Sequence, residues 1–537
     1  MDNARQSARL YGRLLPLPAL SGPHSGERIA EVIDEILKAF GVRPERVGYF
    51  VTDNASNNDT TIRHLAIAYD FNDIERRCRC APHIINLVAQ TMMFGIDKDA
   101  FENDTDKIVD ETKFLKDWRQ TGPLGTLCDI INYIKTPQLY EKLDEFQRQS
   151  HQPPDPDFRP KALIKPVKTR WNSYVKAFRR AIEIKDALDA FIQYYIEQHR
   201  MEFARMKSKR RNAREPEAPR WVKTGGLSSD DWQVIAQYID FLKPLVDATS
   251  RVQGRGQSGS FGAAWEVIPT FESILALFEQ QKVRVAGVNY NAAAPEPITI
   301  ADDESTLPVF QALPLEDHYN ININAAWAKL RKYWLKLDDC PAYFAATRLH
   351  PRFKQYCMNV WEDRQDWIAI MEGRMRKLWA TYRDSGDSTS SPPRKKIKPM
   401  NDIDEIIDSH IGVDHTGAIT TGDDEYERWI AIRPLPKGHK FAEDPFLYWR
   451  THTHEFPRLS QLAFDVLSIP ASSADCERMF SELGDLLEPR RLRMNPQLIA
   501  ALQCTKSWQK RPWGRSNAPT LLIDVDKLMK QLEMDDD

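Results

Sequence analysis

Four groups of residues in this chain have types and spacings that could do chemistry, and the first centres on Asp53. This residue follows the apolar run Val47–Thr52 and opens a polar turn rich in asparagine. If the run is a buried strand, the carboxylate lies at its carboxyl end, where ligands and metals collect in open α/β sheets. A carboxylate there suits Mg²⁺, which prefers oxygen ligands. The same position also fits an Asx-turn with Ala55 or Ser56, which is common for aspartate in turns.

The second group is Cys80 and His83, spaced as Cys-x-x-His, with Cys78 as a possible third ligand. Zinc takes four protein ligands, or three and a water. No second pair of matching ligands lies nearby in the sequence, so zinc is not expected. The pattern favours a buried cysteine and a hydrogen-bonded histidine at the start of a helix.

The third candidate is Glu477, which is followed by Arg478 in the first turns of a predicted helix. The preceding Ser472 or Ser473 is a suitable N-cap for that helix. Taken by itself, the pair fits an ordinary surface ion pair. A chemical role for Glu477 needs further context.

The fourth group surrounds Trp171, which follows Arg170 in a basic stretch from Lys161 to Arg180. An aromatic side chain among cations can stack on a base while its neighbours contact phosphates. Alternatively, Trp171 is a core residue whose basic neighbours extend their charged ends into solvent. The residues themselves leave both interpretations open.

The elements that must position these groups change character along the chain. An amphipathic helix is predicted from Ile29 to Phe40 and a buried strand over 47–52, so the chain begins as α/β. From about residue 60 the apolar spacing is helical, and Ser228 with Asp231 resembles a capping box. Loops or linkers are predicted at 150–160, 203–224 and 384–425. A compact apolar region of helices follows over about 440–510.

Composition excludes several classes of protein. The formal net charge of -3 over 537 residues excludes a bulk polycation but not local basic surfaces. No run of about 18 apolar residues could span a membrane, and the N-terminus lacks the apolar core of a secretory signal. Seven scattered cysteines form no disulfide framework and favour the cytosol or nucleus. The basic run 394–398 suits nuclear import, whereas the run 205–214 fits a solvated face or a DNA contact.

The order of these motifs resembles the hAT superfamily of DNA transposases. The matching segments are Phe-Val-Thr-Asp-Asn-Ala-Ser-Asn-Asn at 50–58, Cys-Ala-Pro-His at 80–83, Thr-Arg-Trp-Asn-Ser at 169–173 and Pro-Ala-Ser-Ser-Ala-Asp-Cys-Glu-Arg-Met-Phe-Ser at 470–481. Leu349-His350-Pro351-Arg352 is similar to the family's Leu-Asp-Pro-Arg element, with His350 in place of the aspartate. The resemblance covers roughly residues 8–510.

The resemblance implies an α/β fold: an RNase H-like domain interrupted by a large all-α insertion. Residues 1–95 would form the N-terminal part of the RNase H-like domain and 96–440 the mainly helical insertion, with a disordered linker at about 384–425. Residues 441–512 would form its C-terminal part together with the hAT dimerisation region. Residues 513–537 would be a tail.

The resemblance also implies a chemistry, DNA strand cleavage and transfer by two metal ions held by an Asp-Asp-Glu set. Asp53 matches the second aspartate and Glu477 the glutamate, and both would bind Mg²⁺ or Mn²⁺. Trp171 matches the aromatic residue that stacks on an extruded base, and we predict that Arg170 and Arg478 contact DNA. Cys80 and His83 match an element that holds the site together structurally.

One departure from the family pattern shapes the predicted function. The family's first aspartate lies on the first strand, yet only 52 residues precede Asp53 and no strand-borne acid is found among them. We therefore expect an N-terminally truncated, catalytically inactive derivative that binds DNA in the nucleus and dimerises. The first alternative is an active cut-and-paste transposase with an incomplete N-terminal gene model. The second is an α-rich interaction scaffold without a DNA role.

Overall fold

The computed structural model describes residues 23–94, 122–151, 157–167, 171–210, 212, 214–253, 263–286, 317–384, 424–473 and 503–504. The chain divides into two compact units. The first comprises Met1–Cys80, Val252–Pro269 and Leu337–Asp537, and the second comprises Ala81–Arg251 and Thr270–Lys336. None of the described helices is long and apolar enough to cross a membrane.

The helices and strands follow one another along both units. In chain order they are α1 (Gly26–Ala39), β1 (Phe50–Thr52), α2 (Ser56–Tyr69), β2 (Arg77–Arg79), α3 (Ala81–Phe94), α4 (Pro123–Tyr133), α5 (Pro137–Ser150), α6 (Trp171–Glu183), α7 (Lys185–Lys209), α8 (Arg220–Thr224), α9 (Ser229–Val252), α10 (Val267–Ala286), α11 (Asp317–Leu337), α12 (Pro341–Leu349), α13 (Tyr356–Val360), α14 (Gln365–Arg383), α15 (Glu425–Ala431), α16 (Lys440–Glu443), α17 (Pro445–Thr451) and α18 (Leu459–Leu467).

Helices α1 and α2 pack closely at the start of the first unit. The predicted helix over 29–40 is confirmed as α1, whose N-cap Ser25 accepts a hydrogen bond from the backbone N–H of Arg28. A Cβ on Gly26 would lie 2.6 Å from the Cβ of Thr60, so only glycine permits this approach of the two helices. Gly41, with φ of +64°, ends the helix where a left-handed residue is needed.

The sheet of the first unit contains, in its described part, two parallel strands. Phe50 pairs with Arg77 and Thr52 with Arg79, and α2 connects the strands. The strand predicted over 47–52 is confirmed only for its last three residues. The carbonyls of Val47 and Gly48 instead accept hydrogen bonds from the Arg76 guanidinium. At these two residues the Arg76 side chain takes the place of backbone hydrogen bonds from a neighbouring strand.

The outer edge of β2 is closed by a tyrosine from α12. The Tyr343 hydroxyl accepts a hydrogen bond from the Arg79 N–H at 2.6 Å and donates one to the Arg79 carbonyl at 3.0 Å. Every residue of α12 is buried, and this helix packs against α14 and α18. For this reason residues 337–384 and 424–440 belong to the first unit, although the sequence boundaries place them in the insertion.

Helices are the only regular secondary structure among the described residues of the second unit. Ser228 and Asp231 form the predicted capping box: the Ser228 N–H donates to the Asp231 carboxylate at 2.7 Å, and the Asp231 N–H donates to the Ser228 hydroxyl at 3.1 Å. This box starts α9, and the Trp232 indole that follows donates to Asp189 of α7 at 2.8 Å. The cap thus fixes α9 against α7.

Candidate functional site

The carboxyl ends of the two parallel strands place Asp53 and Cys80 side by side. Each residue follows directly after its strand, and the Cys80 N–H donates to the Thr52 carbonyl at 2.8 Å, which extends the ladder by one bond. We call the end of the sheet formed by Asp53 and Cys80 the carboxyl edge. It is the position at which the sequence predicted ligands to collect.

The Asp53 carboxylate is held by two hydrogen bonds to one of its oxygens. Oδ1 accepts from the Ala55 N–H at 3.0 Å and from the Asn58 side-chain amide at 2.6 Å. The Asx-turn considered as an alternative role for Asp53 is therefore present. It does not compete with metal binding, because among the described contacts none engages Oδ2.

Two guanidinium groups contact the Asp53 backbone and the adjacent Asn54 side chain. Arg77, only 7 % exposed, donates to the Asp53 carbonyl at 3.0 Å and pairs with Asp59. Burial is the main cause that lowers the pKa of Arg77 to about 10, and the neighbouring Arg79 adds to it. Arg79 donates to the Asn54 side chain at 2.8 Å. The surroundings of the carboxyl edge therefore include two carboxylates, Asp53 and Asp59, and two guanidinium groups.

The segment that leads to Glu477 contacts the carboxyl edge of the sheet. The Ser473 N–H donates to Cys80 Sγ at 3.4 Å, and Pro470 forms an isolated bridge with Ala263. Glu477 itself, with Arg478, lies outside the described residues. The structure thus brings Asp53 and the approach to Glu477 to the same end of the sheet.

Cys80 is completely buried, and its sulfur accepts a backbone hydrogen bond. His83 begins α3 and is half-buried. In the described ranges, no group of three or more histidine, cysteine, aspartate or glutamate side chains could hold a metal ion. The contact of Cys80 agrees with the structural role that the family resemblance implies for it.

Trp171 lies in the second unit at the first position of α6. Its side chain is 2 % exposed, and its backbone N–H donates to the Asn86 side chain at 3.2 Å. This burial favours the core role that the sequence left open, whereas base stacking by Trp171 stays a prediction. Arg170 lies outside the described residues.

His350, which stands where the resembled Leu-Asp-Pro-Arg element has an aspartate, makes a local turn bond. Its Nδ1 accepts the Arg352 N–H at 3.1 Å, which is the turn bond that an aspartate carboxylate would make at this position. The ring is 2 % exposed, and burial lowers its pKa to about 3. The neutral imidazole therefore replaces the family's aspartate as an acceptor.

Two buried cations near His350 were missed by the sequence analysis. Arg348 pairs with Glu372 at 2.8 Å. Lys354, 1 % exposed, donates to the Trp429 carbonyl and lies 3.8 Å from the centroid of that indole. Burial, with a contribution from Arg348, lowers the pKa of Lys354 to about 7. The only available sequence signal was the run of basic residues after the Leu-His-Pro motif.

Comparison with known proteins bears on the C-terminal part of the first unit. Residues 429–509 match the family model of the hAT family C-terminal dimerisation region. A Zea mays protein named "Putative AC transposase" is 22 % identical over 97 % of this chain and 55 % of its own length. Both findings show that the chain is similar to proteins of the hAT superfamily. This confirms the resemblance drawn from the motifs.

Two further relatives extend the comparison. Zinc finger BED domain-containing protein RICESLEEPER 2 of Oryza sativa subsp. japonica is 21 % identical over 96 % of this chain and 63 % of its own length. A Talaromyces stipitatus protein named "Putative transcriptional regulator tpeD" is 22 % identical over 91 % of this chain and 49 % of its own length. The chain thus spans about half to nearly two thirds of the relatives that it matches.

The hAT dimerisation region begins at Trp429, in an aromatic cluster buried inside the first unit. The ring centroids of Trp429 and Trp449 are 4.6 Å apart. Their indole N–H groups donate to the carbonyls of Arg348 and Leu349 at 3.0 and 2.9 Å. The described start of the region therefore completes the core of its own unit.

Proposed function

We propose that this hAT protein is a transposase-derived, nuclear DNA-binding protein that associates with itself through residues 429–509. The observation that carries the proposal is the carboxyl edge, where Arg77 contacts Asp53, Arg79 contacts the adjacent Asn54, and the segment leading to Glu477 contacts Cys80. Cations beside a carboxylate suit a phosphodiester backbone approaching a metal-binding group. Self-association is supported by the match to the dimerisation region.

We propose that the first unit is an RNase H-like domain. Support comes from the parallel pair β1 and β2, the helix α2 between them, and the aspartate directly after β1. The helical second unit corresponds to the large insertion. The proposal agrees with the family resemblance that the motifs carry.

The residues of the carboxyl edge fit a divalent cation only in part. Asp53 offers Oδ2, while Oδ1 is fixed by Ala55 and Asn58, and Glu477 would be the second ligand. When bound, Mg²⁺ or Mn²⁺ would supply positive charge for activating an attacking oxygen. Two matched carboxylates leave the Asp-Asp-Glu set incomplete within the 537 residues, so we propose that this chain binds DNA without cutting it.

DNA binding and catalysis are tested separately on the purified 537-residue chain. Fluorescence anisotropy with a labelled duplex, repeated over 50–300 mM KCl, should show affinity that falls steeply with salt, because binding releases counterions from phosphates. Salt-independent binding, or no binding, would overturn the DNA role in favour of an interaction scaffold. Incubation with supercoiled plasmid and Mg²⁺ or Mn²⁺ should leave the plasmid intact. Nicking that is lost in Asp53→Asn would instead establish an active transposase.

Self-association is tested by light scattering coupled to gel filtration. The full chain should elute with at least twice the mass of 62.1 kDa. A strictly monomeric mass at micromolar concentration would contradict the proposed role of residues 429–509. This result would leave the DNA measurements unaffected, so the two parts of the proposal fail separately.

A further inference from the structure

The last part of α7 stands clear of the core of the second unit. Buried residues of this 25-residue helix end at Ile196. From Met201 to Arg210 every residue is exposed except Phe203, which is half-buried. At 1.5 Å per residue this segment is about 15 Å long. We call Met201–Arg210 the projecting end of α7.

The projecting end carries positive charge that the described chain does not neutralise. Four cations, Arg205, Lys207, Lys209 and Arg210, lie within six residues, and none forms an ion pair with a described residue. Glu202 is the one acid of the segment. Three other lysines of this unit have described acidic partners: Lys142 pairs with Glu145, Lys161 with Glu183 and Lys185 with Asp189.

Attraction to the helix dipole explains only part of this charge. Cations in the last turn of a helix are stabilising, and Lys207 also lies over the Phe203 ring at 4.4 Å. Arg205 is more than one turn before Arg210, however, and the effect of the dipole fades within that turn. An external anionic partner accounts for the whole cluster.

The cations lie on two opposite sides of the helix. At 3.6 residues per turn, Arg205 and Lys209 share one side and Lys207 lies on the opposite side. Arg210 follows as the extended C-cap of the helix. A helix is about 10–12 Å in diameter, and the major groove of B-DNA is about 12 Å wide. A helix in that groove faces a phosphate backbone on each side, so charge on both sides matches duplex DNA better than a flat anionic surface.

We propose that the projecting end of α7, Met201–Arg210, enters the major groove of duplex DNA and contacts the phosphates on both sides of the groove. This inference rests on the proposed function, because it names one surface through which the chain holds DNA. It assigns the contact to backbone phosphates and not to base edges. Binding by this segment is therefore independent of the base sequence of the DNA.

The experiment compares two quadruple variants of the full chain with equal changes in charge. The test variant replaces Arg205, Lys207, Lys209 and Arg210 by glutamine. The control replaces Arg28, Lys38, Arg376 and Lys377, which are two arginines and two lysines with described acidic partners. Far-UV circular dichroism verifies that both variants fold, and exposed substitutions of this kind cost little stability.

Binding is measured on a B-form DNA duplex and on an RNA duplex of the same sequence, each over a series of salt concentrations. For DNA, the slope of log K against log salt should become less negative by about 3.6 in the test variant, since each of the four lost phosphate contacts removes about 0.9. The control should retain the wild-type slope. RNA binding should be weaker than DNA binding and equal in all three proteins, because the deep and narrow major groove of A-form RNA excludes a helix.

Two results would overturn the inference while leaving the proposed function intact. One is a DNA slope in the test variant that equals that of the control. The other is an equal loss on DNA and RNA, which would indicate nonspecific attraction to any polyanion. If the wild-type chain binds no DNA at all, the proposed function itself fails.

Discussion

The backbone N–H of Ser473 lies 3.4 Å from the Sγ of Cys80, 393 residues earlier in the chain. This bond attaches the beginning of the Glu477 segment to the end of β2. Cys80 therefore has a physical task in this chain, because it anchors a backbone group of another motif. Zinc binding is not required for that task.

Replacing Cys80 by valine should release this anchor. Valine fills the buried position but accepts no hydrogen bond, so the free energy of opening at Ser473 should fall by about 1 kcal/mol, the net contribution of a typical hydrogen bond. Hydrogen exchange with mass spectrometry on a peptide that contains Ser473 measures the change. Cys357→Val, at a buried cysteine of the same unit, is the control. Unchanged exchange in Cys80→Val would contradict the anchoring role.

Two substitutions at Asp53 should separate the turn from the charge. Asn keeps an oxygen for Ala55 and Asn58, so Asp53→Asn should change the free energy of unfolding by less than about 0.5 kcal/mol. Asp53→Ala removes the acceptor from both donors and should cost about 1–2 kcal/mol. Urea denaturation of both variants measures the difference. Equal losses of unfolding free energy in Asp53→Asn and Asp53→Ala would show that the Asx-turn contributes nothing to stability.

Lys354 should make stability increase with pH above neutrality. Its folded pKa of about 7 lies below the ordinary 10.5, so between these values the unfolded chain binds more protons. The free energy of unfolding then rises with pH, by at most about 1.4 kcal/mol per unit. Below pH 7 both states are protonated and the full cost of burying the charge remains.

Urea denaturation between pH 7 and 9.5 tests this dependence on Lys354. The rise should be smaller in Lys354→Met, which keeps the length of the side chain without the amine. Lys377→Met, at a lysine whose side chain is 75 % exposed, should follow the wild-type curve. A parallel rise in Lys354→Met and wild type would remove Lys354 as the cause.

His350 should contribute to the loss of stability in acid. Its folded pKa of about 3 lies below the ordinary 6.5, so the unfolded chain takes up a proton first as the pH falls. The contribution is complete above pH 6.5 and decreases as pH falls toward 3. His350→Asn retains an acceptor for the Arg352 N–H but does not titrate, so its unfolding free energy should decline less between pH 6.5 and 4. An identical decline in the two proteins would exclude His350.

Truncation after residue 440 should leave the protein insoluble. Trp449, Phe456 and Leu459 are wholly buried, and their removal exposes the Trp429 ring and the apolar side of α12. Expression of 1–440 followed by gel filtration measures the outcome. A soluble, defined oligomer of the truncated chain would show that this cluster is dispensable for folding.

Several local elements were predictable because their signals are contiguous in the sequence. Helix α1 ends at a glycine that can adopt positive φ, Ser228 and Asp231 form a capping box three residues apart, and Asp53 follows an apolar run. The Asx-turn at Asp53 was one of two roles that its position permitted. Each of these features depends on neighbours within five residues.

The long-range features were not predictable, because single side chains create them across hundreds of residues. Tyr343 meets Arg79 over a separation of 264 residues, and Lys354 meets Trp429 over 75. No periodicity encodes such pairs. The assignment of residues 337–384 to the first unit has the same origin, since it depends on how α12 packs.

The tyrosine that closes β2 has a consequence for how copies of this protein can meet. An exposed strand edge offers free N–H and C=O groups to any other chain and invites intermolecular β pairing. At Arg79 both groups are already occupied by one phenol, so a foreign strand would have to displace Tyr343 before it could add to the sheet. Addition of strands from other copies of the chain is thereby discouraged at that position. Self-association is left to surfaces that can form a closed oligomer with a defined number of subunits.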